Sequence, residues 1–176
     1  PREEIEERHP AVEDWLAENI LLVAVNHDEH AVATYEANHP WAIVYEAKVQ
    51  NLHPPQAVTV DVDGEEVIVR PDIVIGGPSC IPWSKANNGM AKDNQLRMAP
   101  DHVKHWLELL LPKQFLLENV EGLLKWGPTV WEDGEPRMIK DGSLFERWIG
   151  DLRAIGYTVE WDTFYAHHYG DAQSRK

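Results

Sequence analysis

Short apolar runs alternating with stretches of helical spacing limit what this sequence can fold into. Residues 20–25 (ILLVAV) are apolar throughout, as expected of a strand covered on both faces in a parallel sheet. Residues 28–38 then place Ala31, Val32 and Tyr35 at helical spacing and stop before Pro40. The same alternation returns in residues 72–75 (DIVI, a strand), 101–111 (an amphipathic helix ended by Pro112) and 114–117 (QFLL, a strand). A helix over residues 143–156 follows, with Ser143 as its N-cap and Gly156 at its close, and residues 157–165 read as a last strand. Strands and helices in this order predict an α/β domain on a mainly parallel, Rossmann-like sheet.

The remaining segments decorate that scheme. Residues 3–18 suit a short acidic helix interrupted by Pro10. Residues 57–69 alternate apolar and polar side chains around Asp63-Gly64, the dipeptide of a two-residue hairpin. Residues 129–142 are rich in turn formers and predict a loop or small hairpin. Trp15, Trp106, Trp126 and Trp148 fall on predicted helices and are expected in the core. With no repeat, low-complexity tract or linker, the 176 residues are expected to form one domain.

Composition narrows the function. A net charge of −14 argues against a surface that grips a phosphate backbone unaided, and also suits a high-salt cytoplasm. No apolar run approaches the ~20 residues that span a bilayer and no signal-peptide pattern opens the chain, so a cytoplasmic protein without membrane association is expected. The histidine pairs His27/His30, His102/His105 and His167/His168 lack further partners at metal-ligand spacing, and no metal is expected.

In open α/β sheets the working residues lie in loops beyond the carboxyl ends of the strands. Asn26, residues 76–84, residues 118–120 and residues 166–175 would all lie at that edge. Residues 76–84 read GGPSCIPWS and hold Cys80, the only cysteine of the chain. Two readings of Cys80 stand on the residues alone, a nucleophile mounted on a stiff loop or a packed apolar thiol. Glu118, in FLLENV, either carries chemistry or caps the helical turn after it. The tail YGDAQSRK offers Gln173 and Arg175 as donors.

Taken in order, these three segments closely resemble the GGPPCQPFS loop, the ENV motif and the QSR motif of DNA cytosine-C5 methyltransferases, and residues 26–40 resemble the stretch after that family's second strand. The resemblance covers essentially the whole chain. It implies an S-adenosyl-L-methionine-dependent methyltransferase fold and methyl transfer to C5 of cytosine in DNA, a chemistry of restriction-modification systems. Cys80 would be the thiolate that adds to C6, and Glu118 would hold the N3 and amino edge of the base with help from Arg175. Asn26, Asp28, Gly76 and Pro78 would fall at the cofactor. Ser84, Asn119 and Gln173 would fall on the substrate side, Asn119 fixing the loop and not acting as a reagent. The base would have to leave the duplex stack to reach the thiol.

Several positions depart from the family pattern. Ser79, Ile81 and Trp83 replace the usual Pro, Gln and Phe around the thiol, and Ala172 stands where Pro is common. Asn26 occupies the place of the ribose-binding acid and Lys48 falls near that of the adenine-binding acid, leaving Asp28 or Glu46 as substitutes. No glycine precedes Gly64 and the chain stops just after QSR, so neither the glycine-rich first motif nor the target-recognition domain is in this sequence. The expectation is an incomplete catalytic domain, inactive alone and completed by further segments or a complementing chain. Two alternatives remain from the residues: a catalytically inactive interaction module of the same fold, and an enzyme methylating RNA by the same chemistry.

Overall fold

The computed structural model describes residues 10–83 and 98–170, with the side chains of residues 10–13 left aside. The chain divides into two compact units, residues 1–69 and 70–176.

In the first unit, helix α1 (Pro10–Asn19) leads into strand β1 (Val23–Asn26), helix α2 (Glu29–Asn38) and strand β2 (Ile43–Glu46). β1 and β2 pair in parallel, Val23 opposite Ile43 through Asn26 opposite Glu46. A parallel pair needs a long crossover, and α2 supplies it. The expected β1 is trimmed: Ile20 and Leu21 are exposed and the strand residues only half-buried, so the run is not covered on both faces. Trp15 is a second correction, its side chain 56% exposed. Leu16 is the half-buried residue of that turn, and the 100° step between neighbours turns the indole off its side.

A short helix α3 (Pro54–Ala57) precedes the antiparallel hairpin of β3 (Thr59–Val62) and β4 (Glu65–Ile68). Asp63 and Gly64 have φ of 55° and 87°. Two consecutive positive φ values match the right-handed twist of the flanking strands, and Asp-Gly accepts them at low cost.

The second unit repeats the parallel motif. Strand β5 (Ile73–Gly76), helix α4 (Ala99–Leu110) and strand β6 (Gln114–Leu117) give a parallel pair with Ile73 opposite Gln114 and Gly76 opposite Leu117. The hairpin of β7 (Thr129–Glu132) and β8 (Glu135–Met138) then turns at Asp133-Gly134, again with two consecutive positive φ values, 52° and 79°. Among the described residues the strands form four two-stranded sheets, two parallel and two antiparallel. Parallel pairing is confined to the two strand–helix–strand segments.

Helix α5 (Ser143–Ile155) carries Phe145, Trp148, Ile149 and Leu152 into the core, where they meet Leu107, Trp83, Leu123, Trp126, Met138 and Val159. Val74, Phe115 and Leu117 of the β5–β6 pair pack against this cluster, whereas Ile75 and Leu116 on the opposite face are 70% and 62% exposed. Period-2 alternation thus gives this sheet one packed face in the described structure. Trp148 donates its Nε1–H to the Pro100 carbonyl at 2.9 Å and Lys104 meets Asp151 at 2.8 Å, both tying α4 to α5. The hydrogen bond from Lys104 holds the Asp151 carboxyl below its ordinary range and raises the Lys104 ammonium.

Two further expectations are corrected here. Ser143 is the first helical residue and not the cap; its N–H and hydroxyl both donate to Asp141 Oδ1, at 2.9 and 2.8 Å, so Asp141 orders the helix start. Residues 157–165 form no strand. The Tyr157 ring meets Phe115 edge-on and its hydroxyl donates to the Pro112 carbonyl, while Val159 offers its carbonyl to Arg153. Side-chain contacts to β6 and α5 hold this segment in place of a backbone ladder.

Candidate active site

β5 and β6 end side by side, and the loops leaving them are hydrogen-bonded to each other. The Glu118 N–H donates to the Gly76 carbonyl at 2.9 Å, extending the ladder one step past the last strand pair. Gly77 follows at once, and a β-carbon there would sit 3.7 Å from Glu118 Oε2. The thiol loop therefore starts beside the exposed carboxylate of Glu118. Asn119 closes the contact from the other side: its Nδ2 donates to the Pro78 carbonyl at 2.8 Å and its Oδ1 accepts from the Val120 N–H at 2.9 Å. One side chain thus fastens the loop after β5 to the loop after β6.

Cys80 lies two residues beyond Pro78, half-buried and outside the core cluster. Its carbonyl accepts from the Trp83 N–H at 3.1 Å, closing a single 3₁₀ turn (Ile81–Trp83). Trp83 is 5% exposed and meets Trp126 edge-on at 5.9 Å between ring centroids. Ser84, Gln173 and Arg175 lie outside the described residues.

In the first unit, Asn26 and Glu46 are register partners at the carboxyl ends of β1 and β2, and both are exposed. Asn26 Oδ1 accepts from the Asp28 N–H, and Asp28 Oδ1 accepts from the Ala31 N–H at 2.9 Å as the N-cap of α2. The Ala31 bond, with smaller help from His30, holds the Asp28 carboxyl below its ordinary value of 3.8. A lowered folded-state pKa adds stability that is present above 3.8 and disappears as pH falls through the folded value. Asp28→Asn keeps a capping oxygen without the titrating group. Its acid melting curve is expected to lose less stability below pH 3.8 than that of the parent chain; superimposable curves would assign the ionisation of Asp28 no role.

Two neighbours of the thiol loop are scarcely legible in the residues alone. Gly122, in the 3₁₀ segment Glu121–Lys125, lies so close to Trp83 that a β-carbon would be driven into the Trp83 carbonyl oxygen. Trp126 follows that segment and its carbonyl accepts the Leu144 and Phe145 N–H groups of α5. Only the glycine two residues past ENV pointed this way, and a glycine alone does not say what it approaches. No group of three or more His, Cys, Asp or Glu residues is arranged to hold a metal ion among the described residues. No described helix is long and apolar enough to cross a membrane.

The strand–helix–strand segments, with a thiol loop and a carboxylate at adjacent ends of one parallel strand pair, make this an α/β protein. Residues 17–176 match the C-5 cytosine-specific DNA methylase family, and the chain belongs to that family. It is 29% identical over 160 residues to the type II methyltransferase M.AgeI of Thalassovita gelatinovora, a match covering 88% of this chain and 32% of that protein. With M.AquIA, a type II methyltransferase of Picosynechococcus, it shares 33% identity over 107 residues, covering 59% of this chain and 41% of the relative. Among solved structures it resembles an E. coli protein described as a prophage-encoded DNA modification methyltransferase. The TM-score is 0.52 at 19% identity, over 82% of this chain and 34% of that one. The chain thus spans about a third of the length of the curated relatives it matches.

Proposed function

We propose that this chain supplies the nucleophile-bearing part of an enzyme that methylates C5 of cytosine in DNA, active when the remaining length of its relatives completes it. The observation that carries this reading is the junction of the two loops. Glu118 is bonded through its N–H to Gly76 and its carboxylate flanks Gly77, so the thiol loop and the carboxylate are held to one strand-pair edge.

The C5 carbon of cytosine is a weak nucleophile, and a thiolate adding to C6 moves electron density onto C5. Cys80 forms that C6–S bond. Glu118 stabilises the negative charge that develops on the ring by holding a proton at N3, and its carboxylate accepts from the exocyclic amino group when the base is bound. Arg175 fits the same base edge by its place in the QSR motif. After methylation, loss of the C5 proton and departure of the Cys80 thiolate restore the aromatic ring. Asn119, with its amide already engaged by Pro78 and Val120, serves as the loop anchor.

Members of the family use S-adenosyl-L-methionine, which supplies the methyl group when bound. The strand ends of the first unit fit it in part. Asn26 and Glu46 present side-by-side acceptors suited to ribose hydroxyls, while Asp28 Oδ1 is engaged in capping α2. Gly76 and Pro78, which would fall at the cofactor by the resemblance, lie at the carboxyl end of β5 and in the loop leaving it.

The test is the appearance of 5-methylcytosine, read by mass spectrometry, in DNA incubated with a completed form of the chain and the cofactor. Glu118→Gln is expected to lower methyl transfer by about 10²–10³-fold with DNA affinity nearly unchanged, since its effect lies on charge developing in the transition state. A completed protein that yields no 5-methylcytosine in DNA would leave the interaction-module reading, and methylation of RNA alone would reassign the substrate.

A further inference from the structure

Gly122 lies against the end of the loop that carries Cys80. Its φ is not in the left-handed range, since it is absent from the residues with positive φ, so the backbone there does not require glycine. Space does: the Trp83 carbonyl oxygen occupies the volume that a β-carbon would take, with the Trp83 Cβ only 3.2 Å from the same point. The 3₁₀ segment after ENV and the 3₁₀ turn after Cys80 therefore touch backbone to backbone.

The contact continues in both directions. Toward the thiol, the Trp83 N–H donates to the Cys80 carbonyl, so the position of Trp83 sets that of the turn starting at Cys80. Toward the core, the Trp83 ring packs edge-on against Trp126, whose carbonyl receives the first N–H groups of α5. Trp83 Nε1 is buried without an acceptor among the described residues. The indole contributes shape here, its ring packed edge-on against Trp126.

We propose that Gly122, together with Trp83 and Trp126, clamps the turn bearing Cys80 to the N-terminal end of α5, and that Gly122 is a positioning residue for the nucleophile. The function of the clamp rests on the reading of Cys80 as nucleophile. Asn119 fixes the start of the loop at Pro78 and the clamp fixes its far side at Trp83, so Cys80 sits between two anchors.

Cys80 is the only cysteine of the chain, so its carbamoylmethylation by iodoacetamide reads the loop without labelling elsewhere. In Gly122→Ala the added methyl displaces the Trp83 carbonyl. The alkylation rate of the native chain is expected to rise about tenfold as the turn opens locally, with a cooperative melt retained. Gly150→Ala, whose new β-carbon meets nothing within 4 Å, is the control and should leave the rate unchanged. In a completed enzyme Gly122→Ala should lower kcat by about 10²-fold, the cost of a misplaced reacting atom, with KM for DNA unchanged. An alkylation rate unchanged or lowered in a folded Gly122→Ala chain overturns the clamp.

Should that variant fail to fold, hydrogen exchange in the parent chain decides. The Trp83 amide is expected to exchange with the same opening equilibrium as the amides of Leu123 and Trp126, and exchange of Trp83 about 100-fold faster than these would show that the loop opens independently. Alkylation and exchange involve neither DNA nor cofactor. A clamp that holds in a chain whose completed form makes no 5-methylcytosine sinks the methyl-transfer reading alone.

Discussion

Replacing Cys80 by serine is expected to abolish covalent capture of the completed enzyme on DNA containing 5-fluorocytosine. Once a thiolate has added to C6 and the methyl group is in place, the ring regains aromaticity only by losing the substituent at C5. Fluorine does not depart as a proton, so the thiol adduct accumulates and migrates as a protein–DNA complex. A serine hydroxyl is far less ionised than a thiol near neutral pH and a poorer nucleophile toward C6. Capture should fall below detection and methyl transfer by ~10³-fold or more, whereas binding of unmodified DNA should change little. The substitution is nearly isosteric at a half-buried position outside the core, so the melting temperature serves as the folding control. Undiminished capture would mean that another residue is the nucleophile.

The largest stability effect is expected from Leu152→Ala. Leu152 has no exposed surface and lies on the face of α5 that also carries Phe145, Trp148 and Ile149 into the core. Truncation removes the transfer free energy of the buried atoms and leaves a cavity that rigid neighbours fill only in part, together about 3 kcal/mol. Alanine favours the helix over leucine only slightly, so propensity offsets little of this. Urea denaturation followed by tryptophan fluorescence should show a lower midpoint at unchanged slope. A loss below about 1 kcal/mol would mean that α5 repacks freely. Such plasticity would also weaken its role as the support of Trp126.

Local pattern carried most of the secondary structure. The apolar runs at residues 72–75 and 114–117 became β5 and β6 within one residue, and Asp63-Gly64 and Asp133-Gly134 made two-residue turns, because turn chemistry and side-chain period are properties of a few neighbours. Pattern failed where a long-range partner decides. Residues 157–165 have the composition of a strand, but a strand needs a neighbour with open donors and acceptors, and this segment meets side chains of β6 and α5 instead. Trp15 has the hydrophobicity of a core residue, yet burial depends on which way one helix turns, and Leu16 took the half-buried place.

The candidate site divides in the same way. The sequence by itself determined the types and order of its reactive groups: a lone thiol in a glycine- and proline-rich loop, a carboxylate and amide after the next strand, and an acidic chain unsuited to holding DNA by charge alone. Only the tertiary structure decided that Asn119 spends its amide on Pro78, that Asp28 caps a helix, and that Gly122 meets the Trp83 carbonyl. Chemical identity is written residue by residue and is legible at once. A hydrogen bond between Asn119 and Pro78, or a close approach of Gly122 to Trp83, joins residues about 40 positions apart, and that proximity exists only after the strands have paired and α5 has packed.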